Sequence, residues 1–141
     1  MPVQSYKTAI RRKGLSAPMR RLRESGRMKG RVLDFGCGQG HDADILGVQG
    51  YDPHWRPSRP RGKFDTITCN YVLNVLRLRK DREEVLKEVL DLLSPGGIAY
   101  VTVRRDVKGC YKTTKGWQVN VRLKAESLWK NEKYETYMLK G

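Results

Sequence analysis

"VLDFGCGQGHD", Val32 to Asp42, is the stretch whose reading decides the fold. An apolar run, Val32-Leu33, leads into Asp34 and then into glycine at every second position: Gly36, Gly38 and Gly40. Glycine loses more conformational freedom on folding than any other residue, so a backbone this bare is expensive to order. It suits a turn from strand into helix where something approaches the main chain closely. The flanks agree. "RVLDFG" reads as a short strand, "HDADILG" as a short helix and "VQGYDP" as a second strand ended by Pro53.

Outward from there the pattern continues. Before it, "SAPMRRLRESG" predicts a short basic helix, with Ser16 able to cap it, Pro18 suited to its first turn and Gly26 able to stop it. After it comes a Pro- and Arg-rich loop, then "FDTITCN", rich in β-favouring residues. "YVLNVLRL" begins a helical turn. In "DREEVLKEVLDLL" the residues Val85, Leu86, Val89, Leu90 and Leu93 make one apolar helix face, with Asp81 and Glu84 as an acidic relative of a capping box. "SPGG" ends that helix. "IAYVTV" has little polar alternation, as in a strand covered on both faces. "WQVNVRL" alternates as a strand, "AESLWKN" reads as a short helix, and "YETYMLK" as a last strand. Strand-helix-strand repeated describes an α/β fold with a mostly parallel sheet, the last two strands forming an antiparallel edge. Residues 1–30 are expected to be a basic arm with its helix, and 31–141 the main domain.

The chain has 141 residues, enough for one core, and 38% hydrophobic residues, enough to fold. No apolar run reaches the ~18 residues of a membrane span, and the N-terminus lacks the apolar segment of a secretory signal. Cys37, Cys69 and Cys110 form no CxxC pair, which argues against a zinc cluster or disulfide framework and for a cytoplasmic protein. No membrane partner and no metal are expected. Twenty-nine Lys+Arg against 15 Asp+Glu leave a formal charge of +14. The excess is concentrated in residues 1–30 and in "RPSRPRGK", 56–63. Concentrated positive charge favours a polyanion partner, DNA or RNA, over mere solubility.

What the glycine loop admits follows by elimination and then by likeness. A phosphate-cradling GxxxxGK[ST] is absent, and the dinucleotide pattern GxGxxG would need glycine where His41 stands. The pattern Asp34-x-Gly36-x-Gly38-x-Gly40 resembles motif I of the class I S-adenosylmethionine-dependent methyltransferases, a Rossmann-like fold. "GYDP", "FDTITCNYVLNVL" and "LLSPGGIAYVTV" resemble that family's second strand, fourth strand and fifth strand with its preceding helix, so the likeness covers residues 31–104. Together "KTAIRRKGLSAPMRRL", "GYDPHWRP", "NYVLNVL" and the tail also resemble the methyltransferases associated with DNA phosphorothioation clusters. Eleven residues separate Asp52 from Phe64, too few for the family's third strand and helix, so a trimmed sheet is expected. The Asn/Asp-Pro-Pro-Tyr corner of amino-group nucleic-acid methyltransferases is replaced by Asn70-Tyr71-Val72-Leu73, and no Pro-Cys precedes Asn70.

The resemblance implies S-adenosylmethionine as cofactor, with Asp34, Gly36, Cys37, Gly38 and Gly40 at its amino-acid end and Asp52-Pro53 at its ribose. A carboxylate suits the ribose because it accepts from two hydroxyls at once. Asn70 borders the cofactor, and Asn70 with Tyr71 are the catalytic candidates. Substrate contacts are expected from Arg11, Arg12, Lys13, Trp55, Asn74, Tyr111 and Trp117, aromatic rings being able to stack on a base. The basic segment 108–118 is expected to be a loop acting as lid or clamp. Plainer roles compete: glycines that serve packing, Asp52 capping a turn, Cys37 and Cys69 as small fillers, Trp117 and Trp129 as core aromatics. Three functions follow: a methyltransferase acting on nucleic acid; one acting on a small molecule or protein; or a non-catalytic nucleic-acid-binding accessory with the same fold.

Overall fold

The computed structural model of the chain describes residues 14–141, so the predicted contacts Arg11, Arg12 and Lys13 lie outside the described residues. In chain order the elements are α1 (Ala17–Glu24), β1 (Val32–Phe35), α2 (His41–Leu46), β2 (Gln49–Tyr51), β3 (Phe64–Asn70), a 3-10 turn (Leu73–Val75), α3 (Arg79–Asp91), β4 (Leu93–Arg104), β5 (Cys110–Thr113), β6 (Gly116–Val119), β7 (Glu126–Lys130) and β8 (Tyr134–Lys140). Six strands form one sheet in the order β2-β1-β3-β4-β8-β7, and β5-β6 form a separate hairpin. The first four run parallel; β8 is antiparallel to β4, and β7 to β8. Residues 53–63 contain no strand, so β2 is the sheet's edge and the sheet is trimmed as expected.

The parallel half is buried on both faces. Leu33, Ile67, Ala99, Val101 and Val103 pack with Val85 and Val89 of α3 on one side. On the other, Leu15, Met19 and Leu22 meet Tyr100, with Leu46, Ile98, Trp129 and Met138 around them. α1 can do this because residues 15, 19 and 22 recur at i, i+4, i+7, leaving its arginines on the outer face. Gly26, at φ +73°, ends the turn after it. Ser16 stands at the N-cap in extended conformation, yet its side chain caps nothing on α1. Its hydroxyl donates to Asp42 Oδ2 at 2.6 Å and its N–H to Asp42 Oδ1 at 2.9 Å, tying α1 to α2.

Several local readings are corrected. "AESLWKN" is not a helix but supplies β7, because pairing with β8 satisfies its backbone and carries Leu128 and Trp129 onto the α1 cluster. The missed signal was Asn131, whose side-chain oxygen accepts from the N–H groups of Lys133 and Tyr134 and closes the β7–β8 turn. The antiparallel edge is therefore β7–β8, while "WQVNVRL" gives only β6, paired with β5; its Val119 and Val121 still bury on one face. Residues 108–118 are mostly this hairpin and not a loop. α3 begins at Arg79 after Leu78, so Asp81 lies in its first turn and caps nothing. Its face is narrower than predicted: Leu90 is exposed, and Leu93 belongs to β4. "SPGG" lies within β4, where the pairing with β3 slips between Phe64 and Thr66.

Candidate active site

Parallel register puts the carboxyl ends of β1, β2, β3 and β4 along one edge: the glycine loop, Asp52, Asn70-Tyr71 and Arg104. This edge is where open α/β sheets place ligands. The glycine loop leaves β1 with Gly36, Gly38 and Gly40 all left-handed, at φ +77°, +58° and +90°. The Tyr51 carbonyl accepts from the N–H of Gly36 at 2.7 Å and of Cys37 at 2.9 Å, so β2 holds the loop directly.

Two carboxylates frame that loop. Asp34 is buried, and Thr68 Oγ1 of β3 donates to its Oδ1 at 3.0 Å. Burial, reinforced by the Asp42 charge, raises its pKa to about 7. Asp52 is likewise nearly buried. Its Oδ1 accepts from the N–H groups of His54 (2.9 Å) and Trp55 (3.0 Å), and its Oδ2 from the N–H of Gly38 (3.1 Å). Asp52 therefore does cap the turn at Pro53, and the same carboxylate reaches the second glycine of the loop.

Arg56, which the sequence places in the basic stretch 56–63, stands at the glycine loop instead. Its guanidinium forks onto Asp44, Nη1 to Oδ1 at 2.8 Å and Nη2 to Oδ2 at 2.7 Å, and Nη2 also donates to the Gln39 carbonyl at 3.1 Å. It lies so tightly over Gly40 that a Cβ there would come within 2.0 Å of Arg56 Cζ. Nothing but its place four residues after Asp52 sets this arginine apart from the rest of that stretch in the sequence.

At the corner after β3, Asn70 Nδ2 lies 3.9 Å from Met19 Sδ of α1, and Asn70 Oδ1 is buried without a partner. Tyr71 is the one non-glycine with positive φ (+60°) among the described residues, pinned by its N–H to the Thr102 carbonyl at 2.9 Å. Such strain in a non-glycine residue is found where the surroundings over-determine the backbone, often at functional sites. Asn74 is buried on the 3-10 turn; its Nδ2 donates to Gln118 Oε1 of β6 at 3.2 Å while its Oδ1 has no partner. Trp117, on the same hairpin, lies beneath Arg77 at 5.1 Å. Trp55 and Tyr111 are exposed, and Pro53 is half-buried. The expected residues thus fall into three places: the glycine loop with Asp34 and Asp52, the Asn70-Tyr71 corner, and the hairpin against Asn74. Burial, reinforced by Asp34, pushes the Cys37 thiol up to about 12, and the buried Cys69 thiol is raised further, so neither is a ready nucleophile. Among the described residues, no three His, Cys, Asp or Glu side chains gather as a metal ion requires, and no helix is long and apolar enough to cross a membrane.

A sheet with this strand order, its reversed penultimate strand, and a strand–glycine loop–helix unit facing an acid after β2 defines a class I, Rossmann-like methyltransferase fold. The sequence agrees: the family model of a methyltransferase domain matches residues 8–135, and the chain belongs to that family. No curated protein matches it significantly in sequence. Solved structures share the fold. The DhpI–S-adenosylhomocysteine complex matches at TM-score 0.57 and 15% identity, over 86% of this chain and 82% of that one. The N-methyltransferase NodS from Bradyrhizobium japonicum, also with S-adenosylhomocysteine, matches at 0.55 and 13%, over 87% and 83%. Magnesium protoporphyrin IX methyltransferase from Synechocystis, with S-adenosylmethionine bound, matches at 0.52 and 12%, over 98% and 80%. Of two further structures that it matches, the chain spans about half the length, 47% in each case.

Proposed function

We propose that the chain is an S-adenosylmethionine-dependent methyltransferase whose substrate is a nucleic acid. The observation that carries the first half is the pairing of a left-handed glycine loop with two acids of different environment. Asp34 is a buried carboxylate with no cation bonded to it among the described residues, and an α-ammonium group would supply one. Asp52 holds the loop with one Oδ2 lone pair to spare, which suits a ribose hydroxyl. The residues present therefore fit the cofactor that the family implies. When bound, that cofactor supplies an electrophilic methyl on sulfur. The protein's part is positioning: Gly36 and Gly38 give close backbone approach, and the Asn70-Tyr71 corner faces the reacting end. The orphaned Asn70 carbonyl oxygen is an acceptor for an N–H of the incoming nucleophile.

The second half rests on charge. Arg20, Arg21 and Arg23 project from the outer face of α1, and Lys29 and Lys130 are exposed nearby in the fold. Arg21 and Arg27 both stack over Trp129, at 4.4 and 5.6 Å, so the strip is held in place. α1 starts at the site itself, through Ser16–Asp42 and Met19–Asn70, and the Arg11-Arg12-Lys13 triplet precedes Ser16 by a few residues. The 56–63 loop offers less, because Arg56, Arg59 and Lys63 bond to Asp44, Glu88 and the Asp91 carbonyl. The nine basic residues of 1–30 support the same substrate class. A small-molecule substrate is the second reading, favoured by the β5–β6 hairpin, which seals the 3-10 turn through Gln118.

The test is transfer of a labelled methyl group from S-adenosylmethionine to DNA, RNA, protein and small amines in parallel. Label in nucleic acid, lost on changing Asp52 to Ala, is expected. Label only in amines supports the second reading. Nucleic-acid binding without any transfer supports the non-catalytic accessory.

A further inference from the structure

The third glycine of the loop faces a side chain of the protein itself. The space a Cβ on Gly40 would take is filled by the Arg56 guanidinium, the movable end of that side chain. A guanidinium held there is one-third exposed, while the Asp44 carboxylate in its fork is 65% exposed and can be re-solvated readily if the fork turns away. The rest of the loop's surroundings are acidic: Asp34, Asp42 and Asp52. Arg56 is the cation that acts on Asp34, Cys37 and Asp44 alike. An amino-acid zwitterion entering this space brings an ammonium, which Asp34 can meet, and a carboxylate, which the three acids repel.

We propose that Arg56 is the carboxylate-binding residue for the amino-acid end of the cofactor, with Asp44 standing in for that carboxylate until ligand arrives. A planar guanidinium already forked onto one carboxylate and anchored to the Gln39 carbonyl is arranged to take another bidentately. Gly40, already required to be glycine by its φ of +90°, leaves the arginine room to lie flat on the loop. This inference rests on the cofactor assignment above and names one more residue of that site.

Calorimetric titration with two ligands tests it: S-adenosylhomocysteine, and its decarboxylated counterpart, S-adenosyl-3-thiopropylamine. Arg56→Met is expected to weaken S-adenosylhomocysteine binding by roughly 10- to 100-fold, as loss of a charge-assisted bidentate pair does. Binding of the decarboxylated ligand should change by no more than about two-fold, because that ligand never uses the arginine. Equal weakening of both ligands, or no weakening of either, overturns the proposal while leaving the cofactor assignment intact. Failure of the unaltered protein to bind either ligand overturns both. Thermal melting checks that the variant is folded. If it is not, Arg56→Lys keeps the charge without the fork and should show the same selective loss, about 3- to 10-fold; an unselective loss counts against the proposal.

Discussion

Asp34 shows what one residue's surroundings do to its chemistry. Its carboxyl titrates at about 7 in the fold, against an ordinary value near 4 in an unfolded chain. The folded state therefore binds this proton more tightly, and the stability that goes with it is full below about pH 4 and lost as pH rises through about 7. Asp34→Asn removes that loss. Its melting temperature is expected to exceed that of the unaltered protein by roughly 5 °C at pH 8, the gap shrinking toward pH 4. Calorimetric melting across that range checks this, and a gap that widens on acidification contradicts it. The ionised form is the one an ammonium needs, so S-adenosylhomocysteine affinity of the unaltered protein should fall as pH drops through 7. Asp52 is the complementary case, a carboxylate that already accepts from Gly38 of the loop and from His54 and Trp55 of the turn after it. Asp52→Ala leaves three N–H groups without acceptors and removes the proposed ribose acceptor, so cofactor affinity should fall by roughly 100-fold or more. Retained affinity in a folded variant argues against the site as drawn.

Among the elements, α1 links the basic surface to the sheet. Met19 and Leu22 are fully buried beneath it, and Ser16 ties its start to Asp42. Leu22→Ala leaves a cavity between α1 and β4 and is expected to destabilise the protein by about 3 kcal/mol, read from denaturant unfolding. A change below about 1 kcal/mol means that the helix does not cover the sheet as described. β7 shows how an element is chosen against its local pattern. "AESLWKN" has no strong alternation, and its pairing with β8 includes a shift between Ser127 and Trp129. What favours the strand is the partner: β8 has an open edge, and Trp129 reaches the α1 cluster only from there.

For the whole molecule, the charge of +14 is the property with the widest reach. If α1 tracks phosphates, affinity for a short DNA or RNA duplex falls steeply with salt. Replacing Arg20, Arg21 and Arg23 with Gln should reduce the slope of log affinity against log salt by up to about 3, while S-adenosylhomocysteine binding stays unchanged. Fluorescence anisotropy over a salt series measures the first and calorimetry the second. An unchanged slope would place the nucleic-acid contact elsewhere.

Short-range patterns were legible in the sequence. The strand, glycine loop and helix at 32–46, the acid at Asp52, the burial of β4 on both faces and the loss of one strand between Asp52 and Phe64 follow from glycine spacing, apolar period and chain length. Those depend on neighbours a few residues away. The identity of β7, the exposure of Leu90, the second role of Ser16 and the seating of Arg56 on Gly40 depend on partners that only folding brings near, 26 residues away for Ser16 and Asp42. The pKa of Asp34 belongs with these, because it is set by burial and by charges on other elements. Sequence alone determined the strand, glycine loop and facing acid at the sheet's carboxyl edge; the tertiary structure decided which charges stand there, since burial and electrostatic pairing are properties of space and not of order along the chain.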